Sequence, residues 1–302
     1  MPRGRSVILK CLPSKMKRIL LAFTLFGLLA LPLHAADVSC GPGRHEVAQD
    51  LWDGYRISLA PATDGEHAGQ CRAVVVSAAG AAVFEAYGTQ AALEPATQHD
   101  VNEDGVPDVV VSTTTQGSYS YYVFTLADPP RVVARFTTSV PLHFEDRDGD
   151  GRFEIWARDF AFLHFDDLPA ELTPQPLIVF RLKGETLHMV SQAFWPDYEQ
   201  EIAQAKGRIP KDLLEKFIGS PTASSDSNDK PKELSPHEKE AIIEVKADAL
   251  AIVLANLYGG RGQEAWKALD DMWPPLDKPR IRQMILKART GGILSEINRP
   301  KK

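Results

Sequence analysis

What this chain lacks narrows it before any motif is read. Its leading apolar run, Ile19 to Leu33, is 15 residues, short of the roughly 20 that a membrane-spanning helix needs. Cysteine is scarce: Cys11, Cys40 and Cys71 are the three present. The histidines beyond the leader, His45, His67, His99, His143, His164, His188 and His237, are scattered and form no His-x-x-x-His or Cys/His cluster, so a zinc site is not indicated. No Gly-x-Ser-x-Gly elbow and no phosphate-cradling glycine loop occurs, which removes the familiar signatures of serine hydrolases and nucleotide-binding enzymes.

What is present begins with the leader. Arg3, Arg5, Lys10, Lys15, Lys17 and Arg18 precede the apolar run, and small residues, Ala35-Ala36, stand before Asp37. That order predicts a secretory signal over residues 1–36, with Met16 as an alternative start. The mature chain would then be periplasmic or secreted, with no membrane span after cleavage. Cys40 and Cys71 remain as an even pair in an oxidising compartment, which predicts a disulfide.

Charge is uneven. Residues 37–229 hold 14 basic and 30 acidic residues, a balance of −16, whereas 230–302 hold 14 and 10, a balance of +4. Phosphates would be repelled by the acidic body, so nucleic acid is not an expected partner. Cations or basic partners suit it better.

From Tyr55 to Val190 the apolar residues come in short β-rich bursts, such as Tyr55–Leu59, Arg72–Val76, Asp108–Ser112, Tyr121–Leu126, Arg131–Phe136 and Leu177–Leu182. Each is bounded by Gly, Pro, Asp or Asn, as strands are. Asp197–Ala205 and Pro210–Ile218 read as short helices, and residues 219–234 as a flexible linker. Ser235-Pro236-His237-Glu238 opens a helix with a capping box and proline in the first turn. Ile243, Leu250, Leu254 and Leu257 would line one face of it, up to Gly259-Gly260. Helices over Gln263–Trp273 and Ile281–Arg289 complete the tail. The expectation is therefore an α+β chain: a mainly β, calcium-braced domain over 37–195, short helices over 196–218, and a separate helical unit over 235–299.

Two segments carry the chemistry: Asp100-Val-Asn102-Glu-Asp104-Gly105-Val-Pro-Asp108 and Asp146-Arg-Asp148-Gly-Asp150-Gly151-Arg-Phe-Glu154. Both place oxygen side chains at positions 1, 3, 5 and 9 and glycine at position 6. Calcium takes six to eight hard oxygen ligands, which one turn of chain can supply, with the carbonyl of position 7 (Val106 or Arg152) as another. Position 12 is Val111 or Ala157 rather than the bidentate acid of an EF-hand, and the sequence that follows is strand-like.

These loops, 46 residues apart and each followed by a strand and a hairpin, resemble the FG-GAP/VCBS repeat family over residues 77–192. The resemblance implies propeller-like blades and calcium held by Asp100, Asn102, Asp104 and Asp108, then by Asp146, Asp148, Asp150 and Glu154. Strands between Tyr55 and Tyr87 would complete a small blade assembly. The aromatic segment Trp156–Leu168 reads first as packing between blades. A binding loop built on Phe160, Phe162 and Phe165 is the competing expectation.

The functional expectation is an exported, calcium-binding, non-enzymatic binding protein, inhibitor-like at the cell envelope, with a protein or glycan as partner. An envelope polysaccharide hydrolase using acids such as Asp166-Asp167, and an assembly factor acting through the helical tail, are the alternatives.

Overall fold

The computed structural model describes residues 39–41, 46–63, 65–219 and 235–297. Among them the apolar bursts become three antiparallel sheets. The first is a meander of β2 (Val47–Asp50), β3 (Arg56–Pro61), β4 (Cys71–Val76) and β5 (Ala82–Gly88). The second runs β1 (Ser39–Cys40), β6 (Gln90–Leu93), β7 (Asp108–Thr115), β8 (Ser118–Thr125) and β9 (Arg131–Thr138). The third is β10 (His143–Glu145), β11 (Glu154–Arg158), β12 (Leu177–Lys183) and β13 (Thr186–Met189). All six expected strands are present.

The second sheet is buried on both faces, which explains why Val109-Val110-Val111 does not alternate with polar residues. Val109, Val111 and Phe124 join Ile57, Leu59, Val75 and Phe84 in one core shared with the first sheet. Val110, Val123 and Phe136 face the other way, into a larger core shared with the third sheet and the helices. The predicted disulfide closes the smaller core. Cys40 on β1 joins Cys71 on β4, with Cα atoms 5.8 Å apart, and so ties the second sheet to the first.

The helices are α1 (Trp195–Arg208), α2 (Lys211–Ile218), α3 (Pro236–Tyr258), α4 (Gly262–Met272), α5 (Lys278–Ala288) and α6 (Gly292–Ile297). Ser235 accepts from the Glu238 N–H, and Glu238 reaches back to the Ser235 N–H, forming the expected capping box. Such a cap contributes about 1 kcal/mol. α6, which starts at Gly292, was not expected.

The expectation of a separate helical unit is corrected: the described residues belong to one compact body, and one core runs from Val110 and Phe180 through Leu250 and Leu254 to Trp273. The α+β class holds: the three antiparallel sheets lie within residues 39–189 and the α-helices follow them. α3 is not amphipathic along its length. From Val245 onward it is buried on nearly all sides, between β12, α1, α2 and α4, while Ile243 is 37% exposed. Ala247, Ala249 and Ala255 are buried along it, and their small side chains permit neighbours to approach closely. No closed ring forms among the described residues, and the propeller-like blades that the resemblance implies are not seen there. Helices α3 and α6 pack against β12 and β9, covering surface that further blades would need. The expected leader and residues 220–234 of the expected linker lie outside the described residues.

Candidate metal centres

Each aspartate loop lies between two paired strands, the first between β6 and β7 and the second between β10 and β11. The glycine at position 6 sits at positive φ in both, Gly105 at 86° and Gly151 at 84°, a conformation that a side chain would oppose. This turns the backbone so that its N–H groups point at the acids.

In the first loop Asp100 accepts from the N–H groups of Asp104 (3.0 Å) and Gly105 (2.8 Å). Asn102 Oδ1 accepts from Asp104 N–H at 3.0 Å, and Asn102 Nδ2 donates to Asp104 Oδ2 at 2.9 Å. Thr125 on β8, fully buried, donates its hydroxyl to the same Asp104 oxygen at 2.9 Å. Burial pushes the Asp104 carboxyl up, but the donors Asn102, Thr125 and Val106 N–H outweigh it and hold it below its ordinary range. Asp108 is fully buried. Its Oδ2 accepts from the N–H groups of Val101 (2.8 Å) and Asn102 (3.1 Å), and its Oδ1 has no protein partner.

The second loop repeats this turn. Asp146 accepts from Gly149 N–H (2.8 Å), Asp150 N–H (3.1 Å) and Gly151 N–H (3.0 Å). Arg152 N–H donates to Asp150 at 2.8 Å, as Val106 N–H does to Asp104 at 2.9 Å. Glu154 is fully buried, and its Oε2 has no protein partner. Burial raises the Glu154 carboxyl above its ordinary range in spite of a neighbouring guanidinium. Asp146, Asp148 and Glu154 each present a carboxylate oxygen within 4.8 Å of the others, a group able to hold a metal ion. Asp150 is not in that group; its Oδ2 lies 3.3 Å from Arg181.

An unpaired, fully buried carboxylate oxygen is costly. The same position of each loop, the ninth, carries one. Among the described residues only the second loop brings three acids within 4.8 Å of one another; the donors of both loops are hard oxygen, the kind suited to calcium, magnesium or manganese.

Arg181 was not foreseen. It stands on β12 directly opposite Glu154 in the strand register. Its Nη2 binds Glu154 Oε1 and lies 3.3 Å from Asp150 and 3.8 Å from Asp148. Its one signal in the sequence is a lone charge inside the apolar run Leu177–Leu182. The loops also touch each other. Arg152 lies 3.8 Å from Glu103, and the His99 and Phe153 rings are 4.6 Å apart. Gly184 N–H, in the turn between β12 and β13, donates to the Asn102 carbonyl at 2.6 Å.

The aromatic segment is interior, as the packing expectation had it. Phe162 is fully buried and Phe165 nearly so, and Phe162 packs edge-on against Tyr258 of α3. Phe160 is partly buried against the same core. The binding-loop expectation is thereby corrected: helix α3 covers these rings. Asp166 is not poised for chemistry. Lys246 at 2.7 Å and Arg280 at 2.6 Å clamp it between α3 and α5.

Beside the second loop, between the β10–β11 edge and α1, lies an open cleft of about 510 Å³. Its floor is Trp156, with the Arg147 guanidinium 3.7 Å above the ring. Each acid lining it is held by an arginine: Glu145 (2.9 Å) and Asp197 (2.5 Å) by Arg147, Glu201 (2.6 Å) by Arg158. His143 is exposed on its rim, and Gln175, Gln200 and Gln204 add neutral amides.

Comparison of the chain with protein-family models, with curated proteins and with solved structures gives no match.

Proposed function

We propose that this chain is an exported calcium-binding protein of the cell envelope, whose two aspartate loops brace a β framework that binds a partner rather than performing chemistry. One observation carries the reading: in both loops the ninth-position carboxylate, Asp108 or Glu154, is fully buried with one oxygen unpartnered. A divalent cation would satisfy that oxygen and neutralise the acids around it. Calcium is favoured because the ligands are all oxygen and lie in a flexible turn. The likeness of the loops to those of FG-GAP/VCBS repeats supports the same ion. The apolar leader and the disulfide support an oxidising location.

Binding is favoured over hydrolysis by the state of the acids. Those lining the cleft are ion-paired to arginine, and Asp166 is clamped by two cations, so none is presented free as a general acid. The cleft, with its arginine–carboxylate pairs and amide rim, is the surface offered to a protein or glycan of the envelope.

The test is thermal unfolding of the chain from Asp37 onward, in calcium and in excess chelator. A ligand that binds the native state alone raises the midpoint in proportion to its saturation. Calcium should raise it by several degrees, and Asp104→Ala and Asp146→Ala should each remove part of the rise. An unchanged midpoint in all conditions would dispose of the calcium reading.

A further inference from the structure

The two loops have the same turn but different occupants around their acids. In the first, the partners of Asp104 are neutral: Asn102, Thr125 and a backbone N–H. In the second, a guanidinium reaches Glu154, Asp150 and Asp148 from the neighbouring strand. Arginine remains charged at every relevant pH, so this cation cannot leave by deprotonation. Two of its three acids, Asp148 and Glu154, belong to the group that can hold a metal ion. A divalent ion arriving there meets a positive charge already on its ligands. It must either displace the guanidinium or bind beside it against like-charge repulsion.

We propose that Arg181 is a built-in competitor that lowers the second loop's affinity for calcium, so that this loop responds to the calcium level. This rests on the calcium reading given above. Without the ion, Arg181 neutralises the buried Glu154 and holds β12 to the loop. With the ion, that role passes to calcium and the arginine is released from Asp148 and Asp150. Arg181 is thus stabilising in one state and opposing in the other, and a side chain that merely packs would not show this reversal.

The experiment is calorimetric titration of calcium into the wild-type chain from Asp37 onward, Arg181→Gln and Arg181→Lys, with unfolding of each in chelator and in saturating calcium. Two binding steps are expected for the wild type. Arg181→Gln should tighten the second loop's step (the one that Asp146→Ala removes) by about tenfold or more, leave any other step unchanged, and lower the unfolding midpoint in chelator but not in saturating calcium. Arg181→Lys retains a charge without the planar fork and should fall between the two. A second-loop step that is unchanged or loosened by Arg181→Gln would overturn the arginine proposal alone. Equal loss of midpoint in chelator and in calcium would do the same. Absence of calcium binding in all three chains would overturn the calcium reading and this inference with it.

Discussion

The carboxylate of Asp159 accepts a 2.6 Å hydrogen bond from the hydroxyl of Tyr258, 99 residues further along the chain. Asp159 follows β11 and is fully buried. Its other oxygen accepts from the N–H groups of Ala161 (3.0 Å) and Ile293 (3.1 Å), the latter in α6. One acid thereby joins the third sheet, the end of α3 and the start of α6. Burial, reinforced by the Asp159 charge, pushes the Tyr258 phenol well above its ordinary range, so it stays a donor at any working pH.

Tyr258→Phe removes one of three donors from a buried charge. Unfolding in urea should show a loss of about 1–3 kcal/mol. Gly292→Ala should be more damaging still. Gly292 sits at φ 62°, and an added Cβ would run into Asp159 Oδ1 and Ala161. A Tyr258→Phe variant as stable as wild type would mean that the pair contributes nothing net.

pH should report on the first loop. In the ion-free protein, burial pushes the Asp108 carboxyl from 3.8 up to about 7, against the Val101 and Asn102 N–H donors. The folded state then binds this proton more tightly than the unfolded state does. Stability in chelator should therefore fall as pH rises from about 4 to 7, by a few kcal/mol in order of magnitude, and this group should add no slope outside that window. Calcium needs the ionised form, so the stabilisation it gives should grow over the same range. Asp108→Asn should remove both slopes. Identical wild-type and Asp108→Asn profiles in chelator would refute the assignment.

The loops were legible in the sequence because their chemistry is local: ligands alternate along nine residues, and glycine at the sixth position marks the turn. The capping box of α3 was legible for the same reason. Arg181 was not, because its partner Glu154 is 27 residues away and only the β11–β12 register brings them together. The same limit hid the Asp159–Tyr258 pair. The division at residue 195 misled because the change from period-two to helical patterning marks a change of element, not of core. Val245 to Tyr258 is apolar on nearly every side, and a helix of that kind needs sheet and helices around it.

The disulfide should matter most to the smaller core. It spans 31 residues, and closing a loop of that length constrains the unfolded chain by about 3 kcal/mol in the entropy picture. A Cys40→Ser/Cys71→Ser double variant should lose stability of that order while keeping its calcium titration, since both aspartate loops lie outside the bridged segment. Loss of calcium binding on reduction would show instead that the first sheet positions the loops.

The last expectation concerns the two loops together. Asn102 accepts from Gly184, in the turn between β12 and β13, while Arg181 three residues earlier enters the second loop. Glu103 faces Arg152 at 3.8 Å, and His99 lies against Phe153. Filling the first loop fixes Asn102 and, through Gly184, the hairpin that carries Arg181. Sites sharing such contacts couple by 0.5–3 kcal/mol, whereas distant ones add within about 0.5 kcal/mol. In a double-mutant cycle of Asp104→Ala and Asp146→Ala, read as calcium-dependent stability, the double variant should depart from additivity by at least about 1 kcal/mol. Additive losses in the cycle would mean that the contacts between the loops hold the fold together but transmit nothing.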